Sequence, residues 1–320
     1  MKAIVLGLAA VLVAGASVAQ PSDYPNRPVR MIAPFAPGGP VDIVARVLAP
    51  KLSERLGQQF YVENHPGGSG NIGTALAAKA PADGYTILVI SSTLVVNPSL
   101  FAKLGFDTTS DLAPVSLVGV SPQVLLVNPS VPVTNVEELV AWVKASPGKH
   151  SYAHAGLGTP GYLAGEMLKQ AFGLDLVAVS FNGGGPAITS TIGGHTPILS
   201  TSISTAAAHV KQGTVRALAV TGARRSPALP EVPTLAEAGA RDQESDIILG
   251  ILVPSGTAPD IIDRLHREIV AIVALPDVRE RLAALGFEPI ASTPKEFAAR
   301  ITWEIDKWAK VIRAANIKAQ

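Results

Sequence analysis

The sequence contains no cysteine. That excludes disulfides, iron–sulfur clusters, thiolate zinc sites and a thiol nucleophile. Aromatic residues make up only 5% of the chain, which leaves few platforms on which bases could stack. Charged residues are also scarce, at 16%, against about 25% in ordinary soluble proteins. The 26 Lys and Arg offset 25 Asp and Glu, for a net charge of +1. Lys2 is the only charge in the first twenty residues, so the remainder is neutral. A neutral chain has no electrostatic footprint for nucleic acid, which argues against that partner class. Beyond the N-terminus no apolar run is long enough to span a bilayer. What is abundant is apolar character, 48% over 320 residues. That suits one large domain or two ordinary ones and is incompatible with a disordered chain.

Residues 3–18 form an uncharged apolar run behind Lys2, and Ser17, Val18 and Ala19 supply the small residues of a cleavage site. This is the pattern of an export signal over 1–19, cut after Ala19, and the run falls short of the roughly 20 residues of a membrane-spanning helix. The mature protein is therefore expected in the periplasm. Without a cysteine at the cleavage point, it cannot carry a lipid anchor there.

Along the mature chain, short β-branched runs alternate with segments of helical periodicity. Strands are expected at 29–35, 59–63, 86–90, 123–127, 151–153, 176–181, 198–200, 216–220 and 247–253. Helices are expected at 41–56, 71–80, 136–144, 161–172, 187–192, 203–211, 260–275 and 294–315. The alternation predicts an α/β architecture with mostly parallel sheets, in two similar lobes. Pro50 is expected to kink or split the first helix, because it lacks an N–H and clashes with the preceding turn. Phe297, Trp303 and Trp308 sit at core spacing on the last helix.

One device recurs. Strands run into APGGP (36–40), PGGSGN (66–71), HAGLGTPG (154–161) and NGGGP (182–186), and each loop leads into a helix. Tight turns alone account for any one of them, since glycine reaches φ > 0 freely. Four together, at the carboxyl edges of strands and the positive ends of helices, predict a cleft that grips an anion from both lobes. Gly70 and Asn71 of the second loop belong to that predicted site. GSGNIG (68–73) matches the dinucleotide fingerprint, but the next strand ends in Ser91, Ser92 and Thr93 rather than in the ribose-binding acid, so the match fails. None of the four loops carries Lys or Arg, which disfavours phosphate and leaves a carboxylate held by neutral donors. His65, His150, His154, His195, His209 and His266 show no metal-binding spacing. His65 and His154 flank glycine-rich loops and could touch a ligand, although a solvated loop histidine is the commoner case. No nucleophile, base and orienting acid can be assembled, so no catalytic residue, metal or cofactor is expected. An exported serine hydrolase stays the remote alternative.

The segments YPNRPVRMIAPFAPGGPVDIVAR (24–46), ENHPGGSGNIGT (63–74), PADGYTILV (81–89), HAGLGTPGYLAGE (154–166), GTVRALAVTGARRSPALPEVPTLAEAG (213–239) and EIDKWAKVIRAANIK (304–318) together resemble the Bug family. These are the extracytoplasmic solute-binding receptors of tripartite tricarboxylate transporters, and the resemblance spans essentially all of the mature chain. It implies a type II, two-lobed periplasmic binding protein that closes like a Venus flytrap. One lobe would comprise 20–123 plus 247–320 and the other 124–246, with hinge crossings near 122–124 and 249–253. It implies one ligand carboxylate on the first loop, at Phe35, Ala36, Gly38 and Gly39. Asp42 would order that loop or merely cap the helix. Ser92 and Thr93 would line the first-lobe floor, and Gly158, Thr159, Asn182 and Gly183 would close over the distal end.

Two departures stand out from that likeness. Many relatives read like TSPHL where this chain has Thr159, Pro160, Gly161, Tyr162 and Leu163, and like VPYKG where it has Val179, Ser180, Phe181, Asn182 and Gly183. Many also carry an Asp within 200–204, whose absence here disfavours amino-acid ligands. Tyr162 and Phe181 leave room for an aromatic or long aliphatic carboxylate. The implied partners are the membrane components of such a transporter, with a sensor kinase as the alternative.

Overall fold

The computed structural model describes residues 24–241, 243–314 and 317, and the expected export signal lies outside them. The first part of the chain is a series of strand–loop–helix units: β1 (Val29–Ala33), α1 (Pro40–Leu56), β2 (Phe60–Asn64), α2 (Asn71–Ala78) and β3 (Thr86–Ser91). A single turn, α3 (Thr93–Val96), and the long β4 (Leu112–Ser121) complete it. At Pro122 the chain changes sheet. It continues as β5 (Gln123–Val127), α4 (Val136–Lys144), β6 (His150–His154), α5 (Pro160–Phe172), β7 (Leu176–Ser180), α6 (Gly184–Ile192), β8 (Ile198–Ser202), α7 (Ile203–Lys211) and β9 (Arg216–Val220). It then returns as β10 (Ile247–Pro254), followed by α8 (Pro259–Val273), α9 (Pro276–Ala284), β11 (Glu288–Pro289) and α10 (Pro294–Ala314).

The strands form a six-stranded sheet in the order β11-β4-β10-β3-β1-β2 and a five-stranded sheet in the order β7-β6-β8-β5-β9. Each is the centre of one α/β lobe. The expectation of mostly parallel sheets is corrected here, because both sheets are mixed. β1 runs parallel to β2 and β3, and β6 parallel to β7 and β8. β10, however, is antiparallel to β3 and β4, and β5 is antiparallel to β8 and β9. The reason is the double crossing. Strands that carry the glycine-rich loops run toward the other lobe. The first strand after each crossing must therefore run away from it.

β3, β5 and β10 are buried at every residue, as befits central strands covered on both faces. α1 runs unbroken through Pro50, so of the expected kink or split the split does not occur. Leu48, Ala49 and Leu52 around it are buried, and their packing outweighs one missing backbone hydrogen bond. β4 and α9 escape the periodicity reading. In β4, Pro114, Ser116 and Gly119 interrupt the apolar pattern. Pro114 is tolerated because it stands at a register shift in the pairing of β4 with β10. Among the described residues no helix is long and apolar enough to cross a membrane.

α10 closes the first lobe by packing on β4 and α3. Phe297, Ile301, Trp308 and Ile312 form its buried face, whereas Trp303 is 54% exposed and does not belong to the core as its spacing suggested. The Phe297 ring lies directly on Gly250 of β10, where any Cβ would collide with it. Phe297→Ala is expected to cost about 3–5 kcal/mol, read as a lower urea midpoint with unchanged slope. A loss below about 1 kcal/mol would show that the ring does not fasten this helix to the sheet.

Candidate ligand-binding site

The first loop, between β1 and α1, is tied down from behind. Asp42, in the first turn of α1 and only 4% exposed, accepts from the Gly38 N–H at 3.0 Å, from Asn64 Nδ2 at 3.0 Å and from Arg46 Nε at 2.9 Å. Asn64 Nδ2 also donates to the Phe35 carbonyl at 2.9 Å. Of the two roles considered for Asp42, the geometry shows loop ordering: the buried carboxylate holds the loop's shape.

The second lobe meets this loop directly. The Ala36 N–H donates to the Asn182 carbonyl at 2.9 Å, across the cleft. Gly183 faces Ala36, and a Cβ on Gly185 would collide with the Pro37 carbonyl oxygen. Gly156 stands against Ser69, and Gly158 against Asn97 and Leu100. The lobes are closed on one another.

Among the described residues, two cavities between them border the glycine-rich loops. The inner one is narrow, with about 30 Å³ of free volume, and four helices present their first or capping residues to it. Residues 39–41 come from the start of α1, 159–161 from α5, Gly184 from α6 and Ser202 from α7. The rest of its wall includes Ser91, Gln123, Ser200, Thr201 and Ile247. The outer cavity, about 200 Å³, is bordered by Gly67, Gly68, Ser69 and Gly70 together with Phe101, Leu157, Phe181 and Asn182. Phe35 and Ala155 border both. Among the described residues no charged side chain lines either cavity. α5, α6 and α7 carry no acid in their first turns, so their positive ends are not neutralised from within. No group of three His, Asp or Glu among the described residues could hold a metal ion.

A family model described as tripartite tricarboxylate transporter family receptor matches residues 44–317. BugT of Bordetella pertussis is 37% identical over 318 residues, covering 98% of either chain. Among solved structures, the periplasmic binding protein BugD superposes with a TM-score of 0.90 at 34% identity, over 93% of this chain and 100% of its own. MatC from Rhodopseudomonas palustris, solved with bound malate, gives 0.86 at 31% identity over 90% of this chain and 100% of its own. An R. palustris protein solved with adipate gives 0.90 at 32% identity over 92% and 99%. The chain belongs to the tripartite tricarboxylate transporter receptor family. It is a periplasmic transport receptor of the type II, two-lobed fold, not an enzyme, and the exported-hydrolase alternative falls.

The receptor's expected contact residues divide into three groups. Phe35, Gly39 and Thr159 border the inner cavity, and Phe35, Gly70 and Asn182 border the outer one. Ala36, Gly158 and Gly183 join the lobes instead of lining a wall, and the Gly38 N–H is taken by Asp42. The remainder are occupied internally. Ser92 Oγ accepts from the Ile248 N–H at 2.9 Å, and Thr93 Oγ1 bonds Ser91 Oγ at 3.4 Å. Asn71 Oδ1 accepts from Asn97 Nδ2 at 2.7 Å. Ser91 takes the floor position expected of Ser92, because neighbouring residues at a strand end face opposite ways. Sequence reasoning missed Gln123, Ser200, Thr201 and Ser202. Their signal was available: hydroxyls and an amide inside two strands that are otherwise apolar and fully buried.

Neither candidate histidine reaches a cavity. His65 Nε2 pairs with Glu63 at 3.1 Å. His154 is fully buried between the rings of Tyr152 and Tyr162, with centroids at 5.6 and 4.9 Å. Its Nδ1 accepts from the Gly156 N–H at 3.2 Å, so the neutral ring carries its proton on Nε2. Burial pushes the His154 pKa down to about 4. Unfolded histidine takes a proton near pH 6.5, so the unfolded chain is protonated first as pH falls. Stability is therefore full above about 6.5 and lost on the way down to 4, by about 3 kcal/mol in all. Urea midpoints from pH 7 to 4 should show that slope, and His154→Asn should flatten it. An unchanged slope in the variant would assign the acid sensitivity elsewhere.

Gly185→Ala tests the closed contact. The added methyl should weaken ligand capture roughly 5–150-fold, the range of a 1–3 kcal/mol overpacking cost. The melting temperature of the ligand-free protein should stay within about 2 °C, since only the closed form is hindered. Undiminished affinity would mean that capture does not require this approach of the lobes.

Proposed function

We propose that the receptor captures a small carboxylate in the inner cavity, closes over it, and presents it to the membrane components of a tripartite tricarboxylate transporter. The observation that carries this reading is the convergence of four helix N-termini on a cavity without a charged wall. The N-termini of α5, α6 and α7 each act as roughly half a positive charge, so an anion is stabilised there with no cation present, whereas Asp42 offsets that of α1. A doubly charged phosphate would call for Arg or Lys, which the wall lacks. With Ser200, Thr201, Ser202 and Ser204 where relatives carry an acid, a ligand ammonium group finds no counter-charge.

The adipate and malate of the two R. palustris structures favour a dicarboxylate, or a carboxylate of similar size. Phe101 and Phe181 in the outer cavity also suit an aromatic carboxylate. The cross-lobe bond from Ala36 to Asn182 exists only when the lobes are shut. A ligand that bridges the two loops therefore favours the closed form. In this reading the chain is exported and cut after Ala19, and its lobes comprise 20–123 plus 247–320 and 124–246. No feature of the described residues favours a sensor kinase over the membrane components as partner.

Melting-temperature shifts of the mature protein test this against citrate, C4–C6 dicarboxylates including malate and adipate, nicotinate, benzoate and terephthalate, with aspartate and glutamate as ammonium-bearing controls. A ligand at 100 times its Kd should stabilise by about 2.7 kcal/mol, a shift of roughly 2–4 °C at this chain length. Gly39→Asp, which sets a negative charge in the cavity wall, should abolish the shift. Silence across the panel, or shifts that persist in the variant, would overturn the reading.

A further inference from the structure

Several buried polar side-chain atoms lack a hydrogen-bond partner, and among the described residues Gln123 Nε2 is the one whose residue borders the inner cavity. Gln123 is 2% exposed and opens β5, the strand that follows the first crossing between lobes. Its backbone is fully engaged. The N–H donates to Thr221 Oγ1 at 2.9 Å, and the carbonyl accepts from the Thr221 N–H at 2.9 Å. Only the side chain is left over. Its Oε1 lies beside Gly161, 3.4 Å from where a Cβ would stand. A buried amide with an unpaired donor is costly, and an aliphatic side chain of the same size would remove the cost. The amide therefore points to an acceptor that the chain itself does not supply.

We propose that Gln123 is a specificity-determining contact, whose Nε2–H donates to a second polar end of the ligand while the first end lies on the helix N-termini. The proposal rests on the receptor reading above and narrows its ligand to a carboxylate with a second acceptor, a two-ended acid and not a simple fatty or aromatic acid. The place of the residue adds a consequence. Thr221 precedes the return crossing and Gln123 follows the outward one, so their mutual hydrogen bonds fix Gln123 at the pivot. A contact at the pivot is present whether the lobes are open or shut. It selects which ligand stays, whereas the loops at 36–39 and 182–185 reward closure.

The test uses probe pairs of equal chain length: adipate against hexanoate, and malate against 3-hydroxybutyrate. Titration calorimetry on the mature wild type should show the two-ended member binding tighter by about 10–100-fold, the range of a hydrogen bond to a charged group. Gln123→Leu should erase that preference and leave the one-ended member within about 2-fold. Gln123→Glu should repel the second carboxylate and reverse the preference. Should the Leu variant fail to fold, Gln123→Met repeats the measurement at similar length. Equal weakening of both members, or of neither, overturns the proposal by making Gln123 mere wall. If the wild type binds only hexanoate or benzoate, the carboxylate reading stands and this proposal falls. If no acid binds, both fall.

Discussion

A carboxylate enters a protein only if hydrogen-bond donors replace the water it leaves, and in a cavity without a cation those donors must come from the backbone and neutral side chains. The rest of this structure follows from that demand. Helix starts leave backbone N–H groups free, so helices that begin at the cavity supply such donors. The strands before them must therefore end there. Each strand-to-helix turn must be glycine-rich enough for two lobes to approach within contact. The loop at 35–39 shows the support this takes. Asp42, Asn64 and Arg46 contribute nothing to the wall, but they hold the loop so that its outward face is presented in one shape.

The double crossing is the second constraint. Because the chain leaves the first lobe after β4 and returns with β10, the strands next to the crossings run against their neighbours. This places Gln123 and Thr221 side by side at the pivot. It also brings both sheets' loop-bearing edges face to face, which a parallel sheet in a single lobe could not do. Side chains from β5 and β8 lie at the floor of the inner cavity, and glycine-rich loops lie at the rim where the lobes meet.

The loops were legible in the sequence because glycine and the absence of Lys and Arg have direct physical meanings. Helices such as 136–144 and 203–211 coincide with the observed α4 and α7, since caps and periodicity agree there. Strand direction was not legible, because it depends on where the chain crosses and not on any local pattern. Side chains from strands were legible only in part. Ser91 and Ser92 differ by one position, and that step turns a residue from the cavity to the lobe interior. Trp303 follows Ile301 by two residues, roughly 200° around the helix, which takes it to the exposed side while Trp308 returns to the core. Pro50 shows the opposite failure, a local rule overruled by packing.

In the proposed reading, the lobes shut because a carboxylate joins them. Small-angle scattering of the mature protein, with and without the acid that raises its melting temperature most, addresses that directly. Closure on the ligand should give a smaller radius of gyration in the liganded sample and a smaller change in Gly185→Ala. A bound acid that leaves the radius of gyration unchanged would contradict it.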